Sequence, residues 1–87
     1  MFQIYTLPTC EHCHEAIELM KQKQIEFELI NTGVLDGLDK FRKFYSEHKT
    51  EIKRDEGMVI LPVLVYLENG TCRIHQGTEG LEKFLDI

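Results

Sequence analysis

The chain has 87 residues, 43 % of them apolar and 29 % charged, and a formal net charge of −5. This length and composition predict one small globular domain over residues 1–87 and exclude a disordered tail, a fibrous repeat and a multidomain enzyme. The acidic balance argues against a nucleic-acid partner, because surfaces that bind nucleic acid are ordinarily basic. The sequence has no apolar run near the roughly 20 residues of a membrane-spanning helix and no recognisable secretory signal. We therefore expect no membrane association and a location in the reducing cytoplasm.

The first thirty residues predict a strand, a helix and a second strand. Residues 2–6 are rich in β-branched and aromatic types, which favour a strand. From Glu11 to about Lys23, apolar residues recur three and four apart, as on one face of a helix. Residues 25–30 alternate apolar and polar. This order predicts a βαβ unit with parallel strands.

The rest of the chain predicts, in order, a helix over 37–49, a loop over 50–57, a strand over 59–67, a strand over 71–76 and a short last helix. Pro62 interrupts the first of these strands, Asn69-Gly70 is a strong hairpin signal, and Thr78 is a candidate N-cap of the last helix. The order β-α-β-α-β-β-α predicts an α/β fold with a four-stranded mixed sheet flanked by helices.

Cys10 and Cys13 form a Cys-x-x-Cys pair between the first predicted strand and helix. Three residues make about one helical turn, so the two thiols can close onto each other. Unpaired N–H groups and the helix dipole at a helix start stabilise a thiolate. We assign Cys10 as the nucleophile of thiol–disulfide exchange and Cys13, on the apolar face of the helix, as the resolving thiol.

The two residues between the cysteines, the following histidine and the third cysteine are given no direct part in the exchange reaction. Glu11 and His12 lie between the cysteines and should change the stability of the Cys10 thiolate in opposite directions. A nearby anion opposes a thiolate, whereas a protonated imidazole favours it. We interpret His14 as a histidine on the helix surface. Cys72 is interpreted as a small strand residue, with a regulatory thiol as the alternative.

The same cysteines permit a second function, a module that binds a metal or an iron–sulfur cluster. Cys10 to His14 also matches the Cys-x-x-Cys-His pattern of covalent haem attachment, but a strand-first βαβ frame does not suit a small cytochrome. Structural zinc needs four ligands, and two cysteines cannot supply a four-thiolate cluster alone. We assign no metal ligand and expect no tightly bound cofactor.

These motifs resemble the glutaredoxin branch of the thioredoxin-fold family over nearly all of the chain. The resemblance is carried by four segments: Ile4-Tyr5-Thr6, Cys10 to His14, Leu61-Pro62-Val63 and Gly77-Thr78-Glu79. It implies a thioredoxin-like fold and a dithiol–disulfide oxidoreductase that reduces protein disulfides or glutathione mixed disulfides.

The resemblance also implies roles for residues far from the cysteines. Pro62 would have a cis peptide bond and face the cysteines, and Leu61 would offer backbone hydrogen bonds to a bound peptide or glutathione. Gly77 and Thr78 would help to hold a glutathione carboxylate at a helix N-terminus, a use with a general electrostatic basis.

The chain departs from the family pattern around the cysteines. Glu11-His12 replaces the usual Pro-Tyr, and Leu7 stands where a basic residue commonly pairs with glutathione. Lys49, Lys53 and Arg54 are the candidates to supply that charge. We therefore expect disulfide-containing proteins as substrates, glutathione as a co-substrate or thioredoxin reductase as the electron donor, and a monomer.

Overall fold

A four-stranded mixed sheet forms the centre of the structure, a computed structural model that describes residues 1–86. The elements in chain order are β1 Phe2–Thr6, α1 Glu11–Gln22, β2 Phe27–Asn31, α2 Leu35–His48, β3 Arg54–Asp55, β4 Met58–Val59, β5 Val63–Glu68, β6 Thr71–Gln76 and α3 Leu81–Leu85. The strand order is β2-β1-β5-β6, with β1 parallel to β2 and antiparallel to β5, and β5 antiparallel to β6. The predicted α/β class and mixed sheet are confirmed.

The sheet has an apolar cluster on each face, because successive strand residues point to opposite sides. Ile4 and Leu64, both 0 % exposed, belong to the cluster that includes residues of α1 and α3. Tyr5 and Val65 belong to the other cluster, against which Phe44 of α2 packs. The two central strands are therefore covered on both faces.

Helix α2 approaches the end of β2 very closely at Gly37. This glycine is buried, and a Cβ built on it would overlap the main-chain carbonyl of Asn31. The absence of a side chain at residue 37 thus lets the helix backbone lie directly against the strand. Within residues 1–86, no helix is both long enough and apolar enough to cross a membrane.

The segment before β5 is a small hairpin, which corrects the prediction of a loop over 50–57 and of a single strand over 59–67 interrupted by Pro62. Strands β3 and β4 pair with each other, outside the main sheet, and β5 begins only at Val63. The turn between them has positive φ at both Glu56 and Gly57, 53° and 80°. Positive φ at both central residues is the geometry of a tight hairpin turn. The Asn69-Gly70 hairpin is confirmed by the same geometry, with φ of 50° and 78°.

The prediction of Thr78 as an N-cap is wrong. Helix α3 begins at Leu81, and its N-cap is Gly80 in the left-handed region, with φ of 75°. The Thr78 carbonyl accepts a hydrogen bond from the Leu81 N–H over 3.2 Å, so Thr78 lies in a turn that precedes the helix. Gly77 and Thr78 thus lie four and three residues before the first residue of α3, and their role in holding a glutathione carboxylate stays a prediction.

Candidate functional site

Cys10 and Cys13 lie at the start of α1 and are joined by a disulfide, with their Cα atoms 5.2 Å apart. Cys10 is the N-cap residue, in extended conformation, and its Sγ accepts a hydrogen bond from the Cys13 N–H over 3.1 Å. Cys10 is partly exposed, whereas Cys13 is 1 % exposed. The geometry provides one accessible sulfur at a helix start and one buried sulfur a turn later.

Hydrogen bonds fix the loop that leads from β1 to Cys10. The Cys10 N–H donates to the Leu7 carbonyl over 3.1 Å and closes a tight turn. The exposed ring of His14 lies with Nε2 2.9 Å from the Pro8 carbonyl oxygen. Since a carbonyl only accepts, this contact requires the proton on Nε2. His14 is on the helix surface, as predicted, and also ties α1 to the loop.

The Leu61–Pro62 peptide bond is cis, as the resemblance implies. Val63 pairs with Tyr5 of β1 and with Gln76 of β6. This register places Pro62 at the end of the sheet from which β1 leads towards Cys10. The Gly77 N–H donates to the Pro62 carbonyl over 3.0 Å. The cysteine loop, the cis-proline and Gly77 therefore share one end of the sheet.

Glu11 and His12, the two residues between the cysteines, are both exposed. The His12 ring nitrogen Nδ1 lies 3.7 Å from a carboxylate oxygen of Glu15, and both side chains are more than 60 % exposed. An ion pair this exposed contributes little, at most about 1 kcal/mol. The structure thus places both candidate tuning residues at the surface of the first turn.

The three candidate cations are placed differently. Arg54 donates through Nε to the Tyr45 hydroxyl over 2.8 Å and through Nη1 to the Gly57 carbonyl, so it is engaged in holding the small hairpin. Lys49 is the exposed C-cap of α2. Lys53 is exposed, and its backbone is bonded to the side chain of Gln76 at the end of β6. Lys53 is therefore the candidate nearest to the cis-proline end of the sheet by register.

Cys72 lies away from the cysteine pair. It is a free, half-buried thiol near the start of β6, facing the α2 side, and lines a cavity of about 440 Å³ with Tyr5 and Phe44. Burial, with a smaller contribution from the Glu51 carboxylate, raises the pKa of this thiol. Cys72 lies four positions before Gln76, about 13 Å along a strand. Within residues 1–86, no three His, Cys, Asp or Glu side chains converge as a metal site would require.

Comparison with known proteins gives the family. The family model described as Glutaredoxin matches residues 2–66. The chain belongs to the glutaredoxin family. The match covers the cysteine pair, the cis-proline, β1 and β2, and the first four residues of β5.

A solved structure shows the same fold. The crystal structure of a glutaredoxin, Grx-1 of Archaeoglobus fulgidus, superposes with a TM-score of 0.65 over 98 % of this chain and 85 % of that chain, at 23 % identity. This similarity shows a thioredoxin-like fold. A search of curated proteins finds no match.

One residue of this end of the sheet escaped the sequence analysis. Gln76, the last residue of β6, bonds to the backbone at both Lys53 and Ile60. Its partners are 23 and 16 residues away in the chain, and no local pattern marks a strand glutamine for such contacts.

Proposed function

We propose that this protein is a dithiol–disulfide oxidoreductase with Cys10 as nucleophile and Cys13 as resolving thiol. The supporting observation is the arrangement of the pair: Cys10 caps α1, accepts the Cys13 N–H and is the more exposed of the two. Helix-start N–H groups lower a thiol pKa, from about 8.5 to between roughly 3.5 and 7.5. Family membership supports the same class of reaction.

The reaction we propose transfers two electrons to a substrate disulfide. The Cys10 thiolate attacks one substrate sulfur, a bond forms between them, and the substrate S–S bond breaks. The released thiolate takes up a proton. Cys13 then loses its proton and attacks the Cys10 sulfur, which releases the second substrate thiol and leaves the Cys10–Cys13 disulfide.

We propose that Leu61, Pro62, Gly77 and Thr78 form the substrate-binding edge. Within residues 1–86, no main-chain hydrogen bond uses the Leu61 N–H or carbonyl. These groups are available to bond an extended peptide backbone, as an added strand does at a sheet edge. Gly77 and Thr78 precede α3 beside this edge and would contact the far end of the substrate.

Glutathione is the co-substrate we propose, with Lys53 in place of the family's basic residue at Leu7. Lys53 is exposed, and its backbone is bonded to the side chain of Gln76, the residue that precedes Gly77. Thioredoxin reductase is the alternative donor. The proposed working form is a cytoplasmic monomer without a tightly bound cofactor, acting on disulfide-containing proteins.

The test is NADPH oxidation with a small disulfide substrate in two coupled systems, one with glutathione and glutathione reductase, the other with thioredoxin reductase. The wild type should turn over in one system, Cys10→Ser in neither, and Cys72→Ser as the wild type does. Equal rates for Cys10→Ser and the wild type would contradict the assignment. Silence in both systems, with metal in anaerobically purified protein, would favour a metal-binding function instead.

A further inference from the structure

The side chain of Gln76 makes three hydrogen bonds to one neighbouring segment. Its Oε1 accepts from the Lys53 N–H over 2.7 Å, and its Nε2 donates to the Lys53 carbonyl over 2.9 Å and to the Ile60 carbonyl over 3.0 Å. The amide thus uses both donors and its acceptor. Lys53 and Ile60 bracket the β3–β4 hairpin, and the Ile60 N–H also donates to the Lys53 carbonyl over 3.3 Å.

These bonds fix the backbone immediately before Leu61. Gln76 holds the Ile60 carbonyl, while the next residue, Gly77, holds the Pro62 carbonyl through its own N–H. Leu61 therefore lies between two anchored carbonyls, both anchored by the end of β6. Its own N–H and carbonyl enter no main-chain hydrogen bond within residues 1–86.

We propose that Gln76 is a positioning residue, which holds the Leu61 backbone in the orientation that bonds the peptide backbone of a disulfide substrate. This inference rests on the proposed function and deepens it. It assigns part of the substrate preference to main-chain contacts, so that disulfides carried on peptides are favoured over disulfides without peptide groups.

The three side-chain hydrogen bonds of Gln76, here called the Gln76 clamp, lie away from the cysteines. This location separates the positioning role from a role in thiol chemistry. None of the side-chain hydrogen bonds of Gln76 involves Cys10 or Cys13. The Cys10 sulfur accepts its hydrogen bond from the Cys13 N–H. Loss of the Gln76 clamp leaves the Ile60 carbonyl without this hydrogen bond, so the backbone immediately before Leu61 is held less firmly. It leaves the helix start that activates Cys10 unchanged. The effect should therefore depend on whether the substrate has a backbone to bind.

Two variants and one control test the role. Gln76→Leu keeps the approximate shape and removes all three hydrogen bonds. Gln76→Glu keeps an acceptor for the Lys53 N–H but replaces both donors by an oxygen facing two carbonyls. Gln22→Leu, at the exposed C-terminal end of α1, is the matched control.

The measurement is a single turnover of the pre-reduced protein, which needs no electron donor. Each variant is mixed with an excess of one of two disulfides: a blocked alanyl-cysteinyl-alanine peptide dimerised through its cysteine, and bis(2-hydroxyethyl) disulfide, which has no peptide group. We expect the wild type and Gln22→Leu to favour the peptide disulfide. We expect both Gln76 variants to react about tenfold more slowly than the wild type with the peptide disulfide, which corresponds to a loss of about 1.4 kcal/mol of binding. With the small disulfide, we expect their rates to stay within about twofold of the wild-type rate.

The outcomes are distinguishable. Equal slowing with both disulfides, or no slowing with either, would overturn the positioning role while the proposed function stands. A wild type without preference for the peptide would also overturn it. A wild type that reacts with neither disulfide would overturn the proposed function and this inference together. Thermal unfolding of each variant identifies a general loss of structure, in which case the slowing would extend to the small disulfide.

Discussion

The backbone N–H of Cys13 points at the sulfur of Cys10 from 3.1 Å. Cys10 thus fills the position that serine, threonine or aspartate usually fills at a helix start, as a side-chain acceptor for an N–H of the first turn. An acceptor in this position is stabilised when it becomes negative. The same contact that caps the helix should therefore favour the thiolate once the disulfide is reduced.

The roles of the three cysteines predict three different losses on substitution by serine. Cys10→Ser should lose essentially all turnover, because a hydroxyl does not replace the thiolate. Cys13→Ser should keep only reactions that end at a mixed disulfide with Cys10, and that adduct should accumulate. Cys72→Ser is the control and should keep full activity. Coupled NADPH oxidation and intact-mass measurement check all three; an adduct on Cys72 in the Cys13→Ser protein would contradict the assignment.

Alkylation should distinguish Cys10 from Cys72 in the reduced protein. Burial raises the pKa of the Cys72 thiol, so less of it is thiolate at pH 7 than of an ordinary cysteine. Its alkylation at pH 7 should be slower than that of free cysteine, and its rate should keep rising with pH beyond the ordinary thiol pKa of about 8.5, where the rate for free cysteine levels off. Cys10 should react at least about tenfold faster at pH 7, given the thiolate stabilisation at a helix start. Peptide mapping after iodoacetamide treatment measures both rates, and a faster Cys72 would refute the prediction.

Gly37→Ala should destabilise the protein, although alanine is the better helix former by about 1 kcal/mol. The new Cβ would overlap the Asn31 carbonyl, which is main chain and cannot rotate away. Overpacking of this kind typically costs about 1–3 kcal/mol. Arg42→Ala, exposed on the same helix, should change the free energy of unfolding by no more than about 0.5 kcal/mol. Urea unfolding at pH 7 compares the two, and a more stable Gly37→Ala protein would show that α2 can move off β2.

Glu28 should make a small contribution to stability that depends on pH. Hydrogen bonds from Gln3 and Lys40, at 3.0 and 3.3 Å, lower the pKa of its carboxyl group. Below the ordinary glutamate pKa of about 4.3 the unfolded chain binds more protons than the folded one, so this stabilisation is present at higher pH and is lost on acidification.

Glu28→Gln is the variant that checks this pH dependence. At pH 7 it should be less stable than the wild type by no more than about 1 kcal/mol, since the Glu28 side chain is 36 % exposed and solvent screens its interactions. The difference should shrink as the pH falls below about 4. Urea unfolding of both proteins across this range measures it, and a difference that grows with acid would reverse the predicted sign.

The parts of the fold that sequence predicts are those fixed by local patterns. The βαβ unit follows from apolar spacing over residues 2–30, and the β5–β6 hairpin from Asn69-Gly70, since both residues readily adopt positive φ. The strand pattern before the cysteine pair and the helical period after it predict that the pair lies at a helix start. These features depend on neighbours in the chain and are confirmed.

The features that sequence missed depend on distant contacts or on unusual backbone. Glu56 adopts positive φ, which glutamate rarely does, so the β3–β4 turn had no clear signal. Gly80 rather than Thr78 caps α3. The Gln76 clamp joins residues 16 and 23 apart, and only the folded sheet brings them together.

The tip of the β3–β4 hairpin is well suited to protein engineering. A Cβ built on Gly57 meets no atom within 4 Å, and Glu56 and Gly57 are both exposed, so additional chain there would displace no packed side chain. Since Gln76 bonds to the base of this hairpin at Lys53 and at Ile60, the residue before Leu61, a fluorophore at residue 56 would be attached to a segment that leads into the proposed substrate-binding edge. The hairpin therefore offers an attachment point for an optical sensor of disulfide substrates.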